Sequence, residues 1–266
     1  MVEGLFRGEN GLIFAYGVTN SGKTYTMQGE EKNPGLLTLA VRMIFNRLAE
    51  EKEAEVEDFT VTGSMLEIYN ERIFDLLSTD RTECKLQRAA SRDSVFVTGL
   101  KELSISNAVE AEAVLSTASK SRTTGKTGSN NSSSRSHTVF TLKLHRPGQK
   151  QVWARLSIVD LAGAERAKNT NNQGDRLAES FKINTSLMHL GRCLEILREN
   201  QKSKRPQPVP YRDSKITRLF QDSLSGWGHT VMIANTSAVS KDYDETVCMY
   251  VCVYYGLCII MAITEG

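Results

Sequence analysis

Residues 17–26 read GVTNSGKTYT, and this stretch decides the fold. A glycine, four further residues, a second glycine, a lysine and a threonine have the spacing of a loop that binds phosphate groups. The apolar run GLIFAYG at residues 11–17 predicts a buried strand before the loop, and a helix is expected to begin near Lys23. In that setting the backbone N–H groups of the turn point at one anion. The stretch therefore predicts a nucleotide-phosphate site, against the alternative of a chance match in a glycine turn.

The residue types inside this loop have separate predicted roles. Gly17 and Gly22 permit the tight backbone, Lys23 would reach the β- and γ-phosphates, and the Thr24 hydroxyl would be a ligand of Mg²⁺. The predicted phosphate-binding residues are Gly17, Val18, Thr19, Asn20, Ser21, Gly22, Lys23 and Thr24.

The composition is that of a soluble globular protein, with 40% apolar and 24% charged residues among 266. This length suits one large domain or two small ones. A formal net charge of +2 does not favour nucleic acid as a partner, so any site for a polyanion must be a local basic cluster. The five cysteines include no close Cys-x-x-Cys pair, which argues against a zinc site and a disulfide framework and favours the cytoplasm.

Patterns typical of strands and of helices alternate along the remaining chain. The predicted strands lie in residues 59–77 (with a break near the sequence YNER), 137–146, 151–163 and 229–239. The predicted helices lie in residues 35–55, 104–125, 176–200 and 214–224. This alternation around a phosphate loop predicts an α/β sheet with helices on both faces.

Two later segments carry groups that a nucleotide hydrolase requires, namely a carboxylate near Mg²⁺ and a detector of the γ-phosphate. Asp160 ends the apolar strand LSIVD, and Gly163 follows with an N–H able to approach a phosphate, although an ordinary strand-ending turn explains these residues equally well. The segment 130–137, NNSSSRSH, offers hydroxyls and a cation, although its composition alone favours a flexible serine linker. Arg135, with His137 close behind and a strand following, argues for a functional segment.

Taken together and in this order, the three elements resemble the kinesin motor domain. The pattern NxxSSRSH occupies residues 130–137, and DLAGxE occupies residues 160–165. Three further segments are similar to motifs of the same family: EIYNERIFDLL at 67–77, INTSL at 183–187 and VPYRDSKITRLFQDSL at 209–224. The segments GVTNSGKTYT at 17–26 and RLAESFKINTSLMHLGRCLEIL at 176–197 are most similar to the mitotic kinesin-like branch involved in cytokinesis. The resemblance implies a partial motor domain over residues 1–246 with an α/β fold, specifically a three-layer α/β/α P-loop NTPase fold with a mixed central sheet and its leading strands missing.

The resemblance implies an ATPase that couples ATP hydrolysis to microtubule binding and movement, with ATP and Mg²⁺ in the site. Tyr25 would lie against the adenine ring. Asp160, Gly163 and Glu165 would form a second switch segment, with Asp160 reaching Mg²⁺ through water. Arg135 and Glu165 would pair when the γ-phosphate orders both segments, and Glu165 would help to pass on the proton of the attacking water. The first switch segment, with Ser134 near Mg²⁺ and Ser133 near that water, would comprise Asn130, Ser133, Ser134, Arg135 and Ser136.

The resemblance also implies a surface for microtubules. The helix around residues 184–197 would lie on tubulin and shift with the nucleotide state. Because tubulin is acidic, a local basic cluster would bind it in a salt-sensitive way. The predicted microtubule-binding residues are Asn184, Lys202, Lys204, Arg205, Arg212, Lys215 and Arg218. For Lys202 and Lys204 a solvated loop is an equally good interpretation. The implied location is the cytoplasm and the microtubule cytoskeleton, including the spindle, with no nucleic acid or membrane partner and an oligomeric state set by segments outside this chain.

The sequence departs from the family pattern at three places. The leading strands, with an Arg-x-Arg-Pro segment that lines the adenine pocket, are absent, which predicts half a pocket around Tyr25 and unpaired sheet edges. Ala164 stands where the family usually has serine, and ESFKIN at 179–184 replaces a usual Glu-Gly start. The tail 247–266 has no charged residue between 247 and 263. It is interpreted as a membrane anchor, as a replacement apolar strand and helix, or as translated intron, and we favour the last.

Two other functions stay open as alternatives. The missing strands favour a kinesin-like fragment that binds microtubules or nucleotide without hydrolysis. Another phosphate-loop enzyme, such as a GTPase, is disfavoured because the chain lacks the guanine-specific Asn-Lys-x-Asp motif.

Overall fold

The computed structural model describes residues 1–30, 32–53, 58–88, 95–124, 132–149, 151–165, 175–226, 228–237, 239, 243 and 258–264. Of these, only the backbone is described at residues 120–124, 132–133, 175–181 and 258–264.

The described segments form six helices and a ten-stranded sheet. The helices are α1 (Val2–Phe6), α2 (Lys23–Gln28), α3 (Leu36–Glu53), α4 (Ala108–Thr124), α5 (Asp175–Lys202) and α6 (Lys215–Leu224). The strands are β1 (Asn10–Tyr16), β2 (Thr60–Tyr69), β3 (Arg72–Asp75), β4 (Glu83–Arg88), β5 (Val95–Thr98), β6 (Leu103–Ile105), β7 (His137–His145), β8 (Val152–Asp160), β9 (Gly228–Ser237) and β10 (Cys258–Thr264). Short 3₁₀ turns lie at Ser132–Arg135 and Tyr211–Asp213.

The sheet is mixed, as the resemblance to the kinesin motor domain implies. Its order is β10-β9-β1-β8-β7-β2-β3-β4-β5, and β6 pairs with β2. Strands β10, β9, β1 and β8 are parallel, whereas β7 runs antiparallel to β8 and the strands beyond it continue antiparallel. The connections from β1 to β8 and from β8 to β9 contain helices, which pack on both faces of this half of the sheet.

Two hydrophobic cores lie on opposite faces of the sheet and make three layers. Successive residues of β1 alternate between them: Phe14 packs into the core beneath α5 and α6, and Ala15 into the core beneath α1 to α4. Phe14 stacks on Phe220 of α6, with ring centroids 5.9 Å apart. The predicted three-layer α/β/α architecture is confirmed.

Three loops meet at one edge of the sheet because of strand direction. The parallel strands β1 and β8 end there, and β1 leads into the phosphate loop. Antiparallel β7 begins at the same edge, since Thr138 is paired with Asp160. Ligands of open α/β sheets bind in this position, at the carboxyl ends of the parallel strands.

The apolar tail contributes a strand to the sheet. From Cys258 to Thr264, β10 pairs with β9 in parallel, so β9 has a strand on each side. An unpaired edge is therefore not found at β9. For residues 258–264 this agrees with the interpretation of the tail as a replacement strand, and its origin as translated intron stays a prediction. Among the residues that the structure describes, no helix is long and apolar enough to cross a membrane.

The predicted helices and strands are found, with local reasons for their ends. The break at YNER is a turn in which Asn70 and Glu71 have positive φ angles of 54° and 60°. Helix α4 is capped by Asn107, whose side-chain oxygen accepts from the N–H of Glu110 at 2.9 Å. The sequence did not predict α1 or the short strands β4, β5 and β6.

Candidate functional site

The phosphate loop has a backbone that only particular residues permit. Gly22 and Asn20 have φ angles of 83° and 66°, in the left-handed region that glycine and asparagine tolerate. A Cβ atom at Gly17 would collide with the carbonyl oxygen of Asn235 and the hydroxyl of Ser21. The Ser21 hydroxyl donates to the carbonyl of Val18 at 2.8 Å and closes the turn. The glycines are therefore required by close approach and by backbone conformation.

Lys23 is folded into the loop. Its side chain is 6% exposed, and Nζ donates to the carbonyls of Gly17 at 2.9 Å and Val18 at 2.7 Å. Burial lowers the pKa of Lys23, and the nearby carboxylates of Asp160 and Glu165 oppose that shift. A buried cation beside a ring of backbone groups favours an anionic ligand.

Thr24 and Asp160 are joined across the site. The Thr24 hydroxyl donates to Oδ2 of Asp160 at 2.8 Å, although the two residues are 136 positions apart. A hydroxyl and a carboxylate in contact are hard oxygen donors of the kind that Mg²⁺ prefers. In the described part of the chain there is no cluster of three or more His, Cys, Asp or Glu side chains for a metal held by protein alone.

The turn after β8 is bound to both of the other loops. Its Gly163 N–H donates to the carbonyl of Ser134 at 3.0 Å, and its Ala164 N–H donates to the carbonyl of Gly17 at 3.1 Å. Glu165 accepts from Thr19 twice, at Oε2 from the backbone N–H at 2.9 Å and at Oε1 from the hydroxyl at 2.5 Å. The three loops thus form one hydrogen-bonded unit.

The close packing of the loops leaves no space for a side chain at Gly163. A Cβ atom there would collide with the Thr19 hydroxyl and the Glu165 carboxylate. Glycine is therefore the residue that lets the turn, the phosphate loop and Glu165 close on one another.

The first switch segment is described in part. Ser134 and Arg135 are half-buried and Ser136 is fully buried. Asn130 lies outside the described residues, and only the backbone of Ser133 is described. Since both oxygens of Glu165 bind Thr19 here, its pairing with Arg135 stays a prediction for the nucleotide-bound state.

Tyr25, predicted to lie against adenine, is on the outer side of α2. Its side chain is 48% exposed, so the structure places it at the rim of the site. The predicted contact with the base stays a prediction.

Two polar contacts of the site were missed from the sequence. Asn235 on β9 donates from Nδ2 to the Thr26 hydroxyl at 2.9 Å and so ties α2 to the sheet. His137 contacts Ser186 of α5 at 2.9 Å and accepts from the Ala162 N–H at 3.0 Å. The only signal for the second contact was the position of His137 directly behind SSRS.

The predicted microtubule residues lie on α5, α6 and the segment between them. Helix α6 and the Tyr211–Asp213 turn both pack against α5. Lys202, Lys204, Arg205 and Arg212 are exposed, whereas Asn184, Lys215 and Arg218 are half-buried. The Lys215 backbone N–H donates to the Glu71 carboxylate at 2.7 Å, which joins the start of α6 to the turn after β2.

The fold and the joined loops define a P-loop nucleotide-binding domain, in which a phosphate loop faces two further segments at the carboxyl edge of a mixed sheet. The model of the kinesin motor domain matches residues 1–251. The chain belongs to the kinesin motor domain family.

Two relatives and one solved structure show the extent of the similarity. The chain is 40% identical over 250 residues to kinesin-like protein KIN-8B of Arabidopsis thaliana, covering 93% of the chain and 30% of the relative. It is 38% identical over 258 residues to the chromosome-associated kinesin KIF4B of Homo sapiens, covering 92% of the chain and 20% of the relative. The structure of a KIF14 dimer with AMP-PNP in complex with a microtubule has a TM-score of 0.84 and 32% identity, covering 100% of the chain and 76% of that structure's chain. The chain thus spans less than a third of the length of these two curated relatives.

Proposed function

We propose that this chain is an ATP-dependent microtubule motor domain, which couples ATP hydrolysis to microtubule binding and movement. The observation that carries the proposal is that the second switch segment is bonded both to the phosphate loop and to the first switch segment. Ala164 binds Gly17 and Glu165 binds Thr19, while Gly163 binds Ser134. A loop connected in this way can report the presence of a γ-phosphate to both segments.

The phosphate loop would hold ATP through its backbone and Lys23. The Lys23 ammonium would exchange its bonds to the carbonyls of Gly17 and Val18 for phosphate oxygens. A phosphate is a stronger partner for this buried ammonium than the two carbonyls, because the carbonyls are neutral and the phosphate is charged. Tyr25 would contact the base from the rim.

The residues present fit Mg²⁺. Thr24 and Ser134 would supply hydroxyl oxygens, and Asp160, already 2.8 Å from the Thr24 hydroxyl, would act through water. The ion, when bound, would neutralise charge on the β- and γ-phosphates.

Hydrolysis would depend on positioning more than on covalent chemistry. The γ-phosphate would compete with Glu165 for the Thr19 N–H, and Glu165 would then be released toward Arg135. Ser133 would orient the attacking water, Glu165 would help to remove its proton, and Gly163 would offer its N–H to the γ-phosphate. The remaining members of the site, Asn130 and Ser136, would hold the first switch segment in place.

The microtubule would bind on the face formed by α5 and α6. This face carries Asn184 and the six basic residues named above, and its cations are mostly exposed. The KIF14 structure supports the assignment because that relative is described in complex with a microtubule. KIF4B, described as chromosome-associated, supports a place in the mitotic branch and on the spindle.

Nucleotide-dependent microtubule binding tests this proposal. We expect the chain to co-sediment with microtubules in the presence of AMP-PNP at low salt and to be released in ADP. A bound fraction that does not change between the two nucleotides would contradict coupling.

The second candidate is a fragment that binds microtubules without hydrolysing ATP. The observation in its favour is the exposure of Tyr25, which leaves the predicted adenine contact open on one side. This candidate would be supported if the fraction that co-sediments with microtubules were the same with either nucleotide and if no phosphate were released from ATP.

A further inference from the structure

We infer that His137 is a positioning residue that joins the Asp-Leu-Ala-Gly turn to helix α5, so that movement of one requires movement of the other. The inference rests on the proposed motor function and assigns to it a specific mechanical link. His137 would act through its two side-chain hydrogen bonds, to Ala162 of the turn and to Ser186 of α5.

The hydrogen bonds fix the protonation of the imidazole. A backbone N–H can only donate, so Nδ1 of His137, 3.0 Å from the Ala162 nitrogen, is the acceptor. The neutral ring then carries its proton on Nε2 and donates it to the Ser186 hydroxyl at 2.9 Å. The Ser186 hydroxyl in turn donates to the carbonyl of Ile183 at 2.7 Å. Each group therefore donates to the next one, from the Ala162 N–H in the turn to the carbonyl of Ile183 in α5.

Burial makes the connection costly to break. His137 and Ser186 are each 3% exposed and Ala162 is 1% exposed. A buried polar group that loses its partner keeps the full cost of its desolvation. If the turn moved without α5, either the bond from the Ala162 N–H to His137 or the bond between His137 and Ser186 would break. Concerted movement avoids this penalty.

One end of the connection lies at the nucleotide site and the other on the helix predicted to contact tubulin. A motor must couple these two sites. Ala162 lies between Asp160, bound to Thr24, and Gly163, bound to Ser134. Ser186 lies two residues from Asn184, on the helix predicted to contact tubulin. Loss of the connection would thus separate the nucleotide site from the microtubule face and leave each intact.

Three variants and one control isolate the link. Ser186→Ala removes the acceptor on α5, whereas His137→Asn keeps an oxygen for the Ala162 N–H and loses the reach to Ser186. Ser186→Thr retains a hydroxyl and serves as the conservative rescue. The control is Ser157→Ala, which removes a hydroxyl pair with Thr141 at 3.1 Å between β7 and β8.

The first readout is the ratio of ATP turnover with saturating microtubules to turnover without them. We expect Ser186→Ala and His137→Asn to lower this ratio about tenfold, the effect of losing one buried hydrogen bond, with KM for ATP unchanged. The double variant should be no worse than either single variant, because both remove the same link. Ser157→Ala and Ser186→Thr should keep the wild-type ratio. A wild-type ratio in Ser186→Ala and His137→Asn would overturn the inference.

The second readout does not need microtubule stimulation. Hydrogen–deuterium exchange of the α5 amides is measured with and without ADP in the wild type and in the variants. We expect ADP to change the exchange of α5 in the wild type and in Ser157→Ala, and to have no effect on it in His137→Asn. An equal ADP effect in His137→Asn would contradict the link. A wild type that microtubules do not stimulate would instead contradict the proposed function.

Discussion

The carboxylate of Glu165 binds Thr19 of the phosphate loop at two points, the backbone nitrogen at 2.9 Å and the hydroxyl at 2.5 Å. A carboxylate thus uses donors that a phosphate loop directs toward its anionic ligand. Under the proposed function, ATP would compete with Glu165 for Thr19, and the released carboxylate would then be available for the attacking water. This exchange would connect nucleotide binding to the preparation of the site for hydrolysis.

Replacing Glu165 should separate binding from hydrolysis. We expect Glu165→Ala to lower ATP turnover at least about a hundredfold, the contribution of a positioned proton acceptor. Its affinity for AMP-PNP, which carries a γ-phosphate, should be equal to or higher than that of the wild type, because a competing anion has been removed. Steady-state turnover and titration with a fluorescent AMP-PNP measure the two effects. Glu53→Ala, at the exposed end of α3, is the control, and an unchanged turnover in Glu165→Ala would refute the role.

Replacing Lys23 should weaken nucleotide binding without unfolding the chain. Lys23→Met keeps the length of the buried side chain and removes a cation whose pKa is already lowered by burial. Loss of a charge-assisted bond predicts an affinity for ATP about 10- to 150-fold lower. Fluorescent-nucleotide titration checks the affinity and thermal unfolding checks the fold, with exposed Lys52→Met as the control. Equal affinities would show that Lys23 does not reach the phosphates.

Gly163 and Gly191 provide a matched pair of glycine substitutions. Gly163→Ala should abolish turnover, because the added Cβ atom would collide with Thr19 and Glu165 and displace the turn whose N–H is proposed to reach the γ-phosphate. Gly191→Ala, inside α5, should raise the free energy of unfolding by about 0.5–1 kcal/mol, because the added Cβ atom would meet nothing within 4 Å beyond its chain neighbours and the backbone of its own helix. Urea unfolding and ATP turnover of both variants test this contrast. Full activity in Gly163→Ala would disprove the close approach.

Cys193 should make stability depend on alkaline pH. Burial raises the pKa of this thiol to about 11 from 9.0, so the folded state favours the neutral thiol. Its stabilising contribution is complete below pH 9 and is lost as the pH rises toward 11. The wild type should therefore lose more free energy of unfolding than Cys193→Ala between pH 8 and about pH 10.5. Parallel curves for the two proteins would contradict the assignment.

The cations of α6 and the preceding turn should govern microtubule affinity. Neutralising Arg212, Lys215 and Arg218 together should lower the affinity for microtubules about tenfold or more at low salt, because each substitution removes an attraction to an acidic surface. Basal ATP turnover should be unchanged. The difference should diminish as salt is added. The control neutralises three exposed lysines elsewhere, Lys32, Lys85 and Lys101. Similar co-sedimentation curves for the two triple variants would argue against this face.

The core of the fold was predictable because its signals are local. The apolar run before the phosphate loop and the alternating pattern of β7 are each sufficient to specify a buried strand. The strand β4 was missed because most of its residues are exposed, and it is a strand only through pairing with β3 and β5. The tail strand β10 was ambiguous for a related reason, since an apolar run fits a strand or a helix until its neighbour is known.

The site was predictable as a set of residues and less so as a set of contacts. The motifs indicated Thr19 and Glu165 separately, but their bond joins residues 146 positions apart. Likewise, 49 positions separate His137 from Ser186. Contacts of this kind depend on where β1, β7, β8 and α5 meet at the edge of the sheet, which no local pattern specifies.

The most direct test of the central claim is ATP turnover by this chain with and without microtubules at low salt. If the joined loops form a motor site, microtubules will raise turnover at least about tenfold, and Glu165→Ala will abolish the increase. A rate that microtubules leave unchanged, or an equal rate in Glu165→Ala, would contradict the account.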